Sequence, residues 1–164
     1  MKIAITGGTA GIGLALAKQF ETAGHEVVPL SRRNGYNIRS LPKVAGIIES
    51  CDMFINNAQV GFAQTELLFD VWNRWRGQRK FIVNISTKMT EQLYAPTEDL
   101  DQYIVQKKAL ELAHNQCRHR SIWPKMILIQ PGKVATQPGW EPPIYEDVDN
   151  WAKAQIELIE KTIL

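Results

Sequence analysis

The sequence predicts a doubly wound α/β fold, a parallel sheet with helices on both faces, and three observations predict it. Short runs rich in isoleucine and valine alternate with longer amphipathic stretches, which is the pattern of repeated βαβ units. The first apolar run ends in a glycine-rich turn beginning at Thr6, and that turn opens directly into an amphipathic stretch. The length of 164 residues, 45% hydrophobic and 22% charged, suits one domain that buries one core without disulfides or metals.

Strands are expected at residues 2–6, 26–31, 52–56, 80–86 and 125–130. Each is nearly continuous in apolar residues, as a strand covered on both faces must be. A fainter strand is expected at Gly35-Tyr36-Asn37-Ile38, third in chain order, and its shortness predicts only a few residues of ladder. Helices are expected at residues 11–23, 41–49, 65–75, 100–118 and 148–163, with Gly24 closing the first as a C-cap glycine does. Right-handed crossovers arrange these strands in the order 3-2-1-4-5-6. The result is a Rossmann-type three-layer α/β/α domain spanning residues 1–164, with no obvious seventh strand. The turn-rich segment at residues 130–143, which carries Trp140, is the candidate for a mobile flap.

Charge and cysteine content exclude several function classes. The net charge of +2 comes from 19 basic and 17 acidic residues spread along the chain, too balanced to follow a phosphate backbone. No nucleic-acid partner is expected, and the denser basic stretches at 74–80 and 118–120 read as solvated helix ends. Cys51 and Cys117 form no CxxC pair, so free thiols in a reducing compartment are expected. The opening apolar run gives way to Gly7 too soon for a signal-peptide core or a membrane span. A soluble cytoplasmic protein without a membrane partner is expected. His25, His114 and His119 lack helical ligand spacing and are expected at the surface or at caps, with no metal site.

The turn Thr6-Gly7-Gly8-Thr9-Ala10-Gly11-Ile12-Gly13 lies between strand and helix, the context that a dinucleotide-binding turn requires. Gly7 permits the reversal, Gly11 lets backbone approach a pyrophosphate and Gly13 lets helix pack on strand, while free N–H groups at the helix start face the phosphates. At the end of the second strand an NAD site presents a carboxylate to the adenosine ribose. This chain presents Ser31-Arg32-Arg33 instead. Hydroxyl and guanidinium groups suit a 2′-phosphate, with charge-assisted hydrogen bonds worth about 1.5–3 kcal/mol each. The expected cofactor is therefore NADP(H), with NAD(H) the weaker candidate.

Tyr103 and Lys107 stand four residues apart on an expected helix, so about 400° of rotation and about 6 Å of rise bring them to one face. At neutral pH only about one tyrosine in a thousand is phenolate, and lowering its pKa by about 3 units takes about 4 kcal/mol. An ammonium about 4 Å away supplies about 4 kcal/mol at an effective dielectric of 20, and only about 1 kcal/mol in water. A pair in a cleft that excludes water therefore suits general acid–base work. Ser86 ends the strand at 80–86, at the carboxyl edge where ligands of doubly wound folds bind; Thr87 is the reserve candidate for its role.

Five motifs in order resemble the short-chain dehydrogenase/reductase family: Thr6-Gly7-x-x-x-Gly11-Ile12-Gly13, Asn56-Asn57-Ala58-Gln59, Ile85-Ser86-Thr87, Tyr103-x-x-x-Lys107 and Pro131-Gly132-Lys133-Val134-Ala135-Thr136. The resemblance implies an oxidoreductase that moves hydride between NADP(H) and a carbonyl or alcohol. Tyr103 would be the general acid/base and Ser86 the donor to the substrate oxygen. Lys107 would acidify the tyrosine and hold the nicotinamide ribose. It further places Asn37 and Ile38 against the adenine, with Asn37 where aspartate is usual, and sets Asn57, Ala58, Pro131, Gly132, Val134 and Thr136 along the cofactor, the last two beside the carboxamide. A homodimer or homotetramer is also implied.

The chain departs from that family in three ways. Between Ala58 and Lys80 only one short helix fits, and Asn73 is the one asparagine there to stand for the family's proton-relay residue. The spacing from Ser86 to Tyr103 is long, so residues 91–98 are expected to form a bulge or lid. After Thr136 one helix remains, leaving little substrate lobe. Tyr94, Trp123, Trp140 and Trp151 are candidates either for an apolar substrate pocket or for core and subunit contacts. The alternative function is a non-catalytic NADP(H)-binding sensor or partner protein; an α/β scaffold with neither role leaves the glycine turn and the arginine pair unexplained.

Overall fold

The computed structural model describes residues 1–163. Parallel strands β1 (Lys2–Thr6), β2 (Glu26–Leu30), β3 (Met53–Asn56), β4 (Phe81–Ile85) and β5 (Lys125–Ile129) form a five-stranded sheet in the order β2-β1-β3-β4-β5. Helices α1 (Gly11–Thr22), α2 (Leu41–Glu49), α3 (Ala63–Trp75), α4 (Asp101–Arg120) and α5 (Val148–Ile163) flank it. This is the expected doubly wound Rossmann-type order without its outermost strand.

Strand alternation divides the core into two layers. Ile3, Ile5, Met53, Ile55, Val83 and Ile85 turn towards α1 and α5, where they meet Leu16, Phe20 and Trp151. Ala4, Phe54 and Ile82 turn the other way, onto Val44, Leu67, Trp75 and Leu110 of α2, α3 and α4. Because both faces are covered, the strand interiors are almost wholly apolar; the charged residues Lys2, Glu26 and Lys125 stand at the strand starts, while the polar residues Thr6, Asn56 and Asn84, all fully buried, must find hydrogen bonds inside the protein.

The strand expected at residues 35–38 does not form. Pro29 turns its carbonyl away from β1 to accept from Asn34 Nδ2 at 2.6 Å, and proline has no amide hydrogen to offer a further strand, which suits β2 to a sheet edge. Residues Arg32–Asn34 instead form a 3-10 turn that ends at Gly35 with φ 89°. Ile38 then drops into the core at 5% exposure beside Leu30 and Val44. A two-residue parallel ladder outside the main sheet, β6 (Val134–Ala135) with β7 (Glu146–Asp147), ties a point inside the expected 130–143 flap to residues just beyond its end.

The chain leaves β1 and β3 in opposite directions, since β1 leads to β2 on one side and β3 leads to β4 on the other. Above this switch point lies the crevice in which open α/β sheets bind ligands. Among the described residues no helix is long and apolar enough to cross a membrane, and no group of His, Cys, Asp and Glu is placed to hold a metal ion.

Candidate functional site

The glycine turn closes over β1 in a way that only glycine allows. Gly7 takes φ +70°, and a Cβ on Gly13 would lie 2.3 Å from the Gly7 carbonyl oxygen and 2.7 Å from Asn57 Nδ2. A side chain there has nowhere to go, because the nearest atom is backbone. The start of α1 is thus seated directly on the turn. Ala10, its N-cap, provides no side-chain cap, so the first N–H groups of the helix stay available to an anion. The neighbouring β3 turn is bound to the same place. Asn57 N and Ala58 N reach Thr6 Oγ1 at 3.0 and 3.2 Å, and Asn57 Nδ2 donates to the Thr6 carbonyl at 3.0 Å. Gly11 faces Thr136, with 3.7 Å between a Cβ built on Gly11 and Thr136 Cβ. The Pro131–Gly132–Val134–Thr136 loop therefore stands across the rim from Gly11 and Ile12.

Ser31 is bound into the same turn: Thr9 Oγ1 donates to Ser31 Oγ at 2.9 Å, and Ser31 N donates to Asn34 Oδ1 at 2.7 Å. Arg32 and Arg33 are exposed beside it, and among the described residues neither enters an ion pair. Two residues expected against an adenine have other contacts. The Asn37 Oδ1 accepts from Arg39 N at 3.0 Å, and Ile38 is in the core, since no strand holds it at the rim.

Along the inner face of α4 lie Tyr103, Lys107, Glu111 and His114, separated by four, four and three residues as one helical face requires. The Lys107 ammonium, 3% exposed, donates to Gln64 Oε1 at 3.0 Å and to the Ile85 carbonyl at 2.9 Å. Burial pulls its pKa down to about 8 against the opposing charge of Glu111. Its Nζ lies 5.8 Å from the Tyr103 ring centre. Burial pushes the Tyr103 phenol up, and a hydrogen bond with the Thr87 side chain opposes that rise.

The neighbouring hydroxyls of Ser86 and Thr87 have different partners. Ser86 Oγ donates to Glu111 Oε1 at 2.5 Å, and Thr90 Oγ1 and Gln130 Nε2 reach the same oxygen at 2.7 and 3.1 Å. Its proton is committed to this carboxylate, while the hydroxyl beside the phenol is that of Thr87, the reserve candidate. Ser86, Thr87, Tyr103, Val134, Thr136 and Ile12 all line one cavity of about 760 Å³. Of the four aromatic candidates Trp140 lines it too. Trp151 is buried between sheet and α5, Tyr94 is 79% exposed, and Trp123 packs edge-on against Phe81 at the start of β4.

Neither a family model nor a curated protein matches the chain by sequence. Solved structures match it by shape. A short-chain dehydrogenase from Burkholderia cenocepacia J2315 in complex with NADP superposes with a TM-score of 0.80 at 15% identity, over 97% of this chain and 84% of that one. An alcohol dehydrogenase from the archaeon Thermococcus sibiricus complexed with 5-hydroxy-NADP gives 0.77 at 16% identity, over 98% and 91%. The fold is that of the short-chain dehydrogenases/reductases. A third structure, the bulky-bulky ketone specific alcohol dehydrogenase from Comamonas testosteroni, gives 0.75 at 19% identity, over 99% and 84%.

Within this short-chain dehydrogenase/reductase fold, sequence reasoning missed a buried polar ladder beneath the cleft. Asn73 is exposed on α3, and Gln64 takes the buried place: besides accepting from Lys107, its Nε2 donates to the carbonyls of Asn56 and Ile85 at 2.8 and 3.0 Å. Asn56 Nδ2 donates to Asn84 Oδ1 at 2.9 Å, and Asn84 Nδ2 meets His114 Nδ1 at 3.0 Å. Since the Asn84 oxygen already accepts, its amide donates to the imidazole, and His114 is buried neutral rather than lying at the surface as expected. Glu111 was missed as well. A signal for Gln64 existed: it occupies the apolar stripe of α3 with Leu67, Leu68, Val71, Trp72 and Trp75, where a polar residue demands an explanation.

Gln64→Leu keeps the bulk but removes both the acceptor of Lys107 and the donor of two carbonyls. It should lower unfolding stability in urea by about 2 kcal/mol or more, whereas Asn73→Ala should change it by less than about 0.5 kcal/mol; equal effects contradict the assignment. Burial, with Arg118 nearby, pulls His114 down from 6.5 to about 4. Above pH 6.5 the folded and unfolded imidazoles are both neutral; between 6.5 and 4 only the unfolded one takes up a proton, so stability falls on acidification. Urea unfolding of the native protein should therefore lose about 3 kcal/mol more across that window than His114→Asn does. Parallel losses contradict a neutral buried His114.

Proposed function

We propose that this chain is a reduced short-chain dehydrogenase/reductase that binds NADP(H) and interconverts a carbonyl and an alcohol. The observation that carries the reading is one cavity lined by Tyr103, by Ile12 of the glycine turn and by the 131–136 loop, with the buried Lys107 ammonium behind the phenol, 5.8 Å from its ring centre. The dinucleotide fits the chain at two points: a turn that a Cβ at Gly13 would fill, and exposed Arg32 and Arg33 beside Ser31 for a 2′-phosphate. Bound there, the cofactor supplies or accepts the hydride.

The chain's residues handle the proton. With its pKa raised by burial, Tyr103 stays a phenol at neutral pH and can give its proton to the carbonyl oxygen. The phenolate left behind faces the Lys107 ammonium; at about 5 Å and an effective dielectric of 20 the attraction is about 3 kcal/mol. Lys107 has one N–H beyond those given to Gln64 and Ile85, and that is the group to hold the nicotinamide ribose. Thr87, adjacent to the phenol, takes the donor role towards the substrate oxygen. Ser86 acts through Glu111, fixing the end of β4 under the site. Where the related fold has glycine after Asn-Asn-Ala, Gln59 donates to Gln106, tying the β3 turn to the helix that carries Tyr103.

The commitment of Ser86 to Glu111 and of Lys107 to two protein acceptors favours a second reading, a binding-only NADP(H) sensor. Fluorescence titration with NADPH and NADH, followed by NADPH consumption with aldehydes, ketones and quinones, separates the two. Turnover of a carbonyl compound supports the oxidoreductase; tight binding with no turnover of any of them supports the sensor. Arg32→Ala/Arg33→Ala should weaken NADPH at least tenfold and NADH by less than about twofold, following the loss of about 1.4 kcal/mol or more from the 2′-phosphate alone; equal weakening refutes the NADP(H) preference. Tyr103→Phe should retain NADPH binding and lose turnover by about a hundredfold or more, the usual weight of a general acid. Native turnover in that variant ends the mechanism.

A further inference from the structure

The cleft also carries information about the class of carbonyl compound, an inference that rests on reading it as the site of carbonyl reduction. Beyond Tyr103 its wall is made by Met89, Pro96, Leu100, Trp140 and Tyr145. Trp140 and Tyr145 stack with ring centres 5.0 Å apart and planes 11° from parallel. Together they form a flat aromatic platform, and Trp140 remains 38% exposed. Both stand on the loop whose ends are joined by the β6·β7 ladder, so the platform is anchored across the cleft from α4. A flat apolar face of this kind gains most by covering itself with another ring.

The charged residues lining the cavity are Lys88 and Lys133, and no Asp or Glu lines it. The two lysines come from different segments, after β4 and after β5, and both also line the adjoining cleft that Glu146 borders. The methylenes of Lys88 pass Gly132, with Cδ 3.5 Å from where a Cβ on that glycine would sit. Among the described residues neither lysine has a salt-bridge partner. Two lysines on a lining that holds no carboxylate give this cavity a positive potential over an apolar wall.

We propose that the substrate is a ring-bearing aldehyde or ketone that carries a carboxylate, its ring on the Trp140–Tyr145 platform and its carboxylate towards Lys88 and Lys133. In the reduction the carbonyl carbon gains a hydride and its oxygen a proton, NADPH leaving as NADP+, and the carboxylate is unchanged. A neutral compound of the same shape loses the two lysines, and a short aliphatic aldehyde loses the platform.

The test compares para-formylbenzoate with its methyl ester under NADPH, the two differing in charge and hardly in shape. The expected kcat/KM ratio favours the acid by about five- to tenfold, the scale of two solvent-exposed ion pairs, and shrinks in high salt. In Lys88→Gln/Lys133→Gln the ratio, measured within the one variant so that folding and cofactor effects cancel, should fall to about one. Trp140→Ala should raise KM for both ring compounds several-fold. Calorimetry of phenylacetate against phenylacetamide on the NADP+-loaded protein gives a readout independent of turnover, with tighter binding of the acid expected. An ester as good as the acid, or an acid preference that survives the double substitution, overturns the proposal. If no aldehyde is reduced while phenylacetate still binds in preference through the two lysines, the recognition of a ring-bearing carboxylate stands and the reading of the cleft as a reductase site fails.

Discussion

A lysine ammonium held out of water at the carboxyl end of the central strands is the constraint around which this molecule is arranged. Lys107 is 3% exposed, and a buried cation without acceptors is among the most costly things a fold can contain. Two acceptors meet it, Gln64 Oε1 and the Ile85 carbonyl. Gln64 can serve because its own amide is held by the carbonyls of Asn56 and Ile85. Those two residues lie at the ends of β3 and β4, so the contacts that satisfy the lysine also bind the two strand ends to each other. The strands, the start of α3 and the middle of α4 are thereby fixed to one point, from which Tyr103 is a single helical turn away.

The second constraint is the close seat of α1. With the Gly7 carbonyl oxygen 2.3 Å from any Cβ at position 13, helix and turn approach as closely as backbone permits. Thr6 joins that turn to the end of β3 through the amides of Asn57 and Ala58. The sheet switches direction at this point, so the glycine-turn end and the Tyr103 end of the cleft share one framework of strand termini. The Pro131–Thr136 loop closes the remaining side through the contact of Thr136 with Gly11.

Much of this is written in local sequence. Strand runs of isoleucine and valine, the turn at Gly7 and the four-residue spacing of Tyr103 and Lys107 each depend on neighbours in the chain. They led to the order of the five strands that form, the helices to within about two residues at most ends, and the one helical face that carries Tyr103 at the cleft and Lys107 behind it. What escaped depends on residues far apart. The strand at residues 35–38 was expected from its position in the series, but Pro29 makes β2 an edge. Ser86 and Thr87 are adjacent and chemically alike, and only Glu111, 25 residues from Ser86, decides that the first hydroxyl is held by a carboxylate. Gln64 and His114 looked unremarkable because their partners, Lys107 and Asn84, come from other elements. Polar residues inside apolar stripes were the available clue in both cases.

A dinucleotide along this rim, with its nicotinamide end at Tyr103, is what the proposed chemistry requires. A crystal structure of the protein grown with NADP+ measures this directly. The account predicts the pyrophosphate over the turn at residues 7–13, the 2′-phosphate at Arg32 and Arg33, and the nicotinamide in the cleft between Tyr103 and Val134. A rim that stays empty at saturating NADP+, or a cofactor bound with its nicotinamide end away from Tyr103, would contradict it.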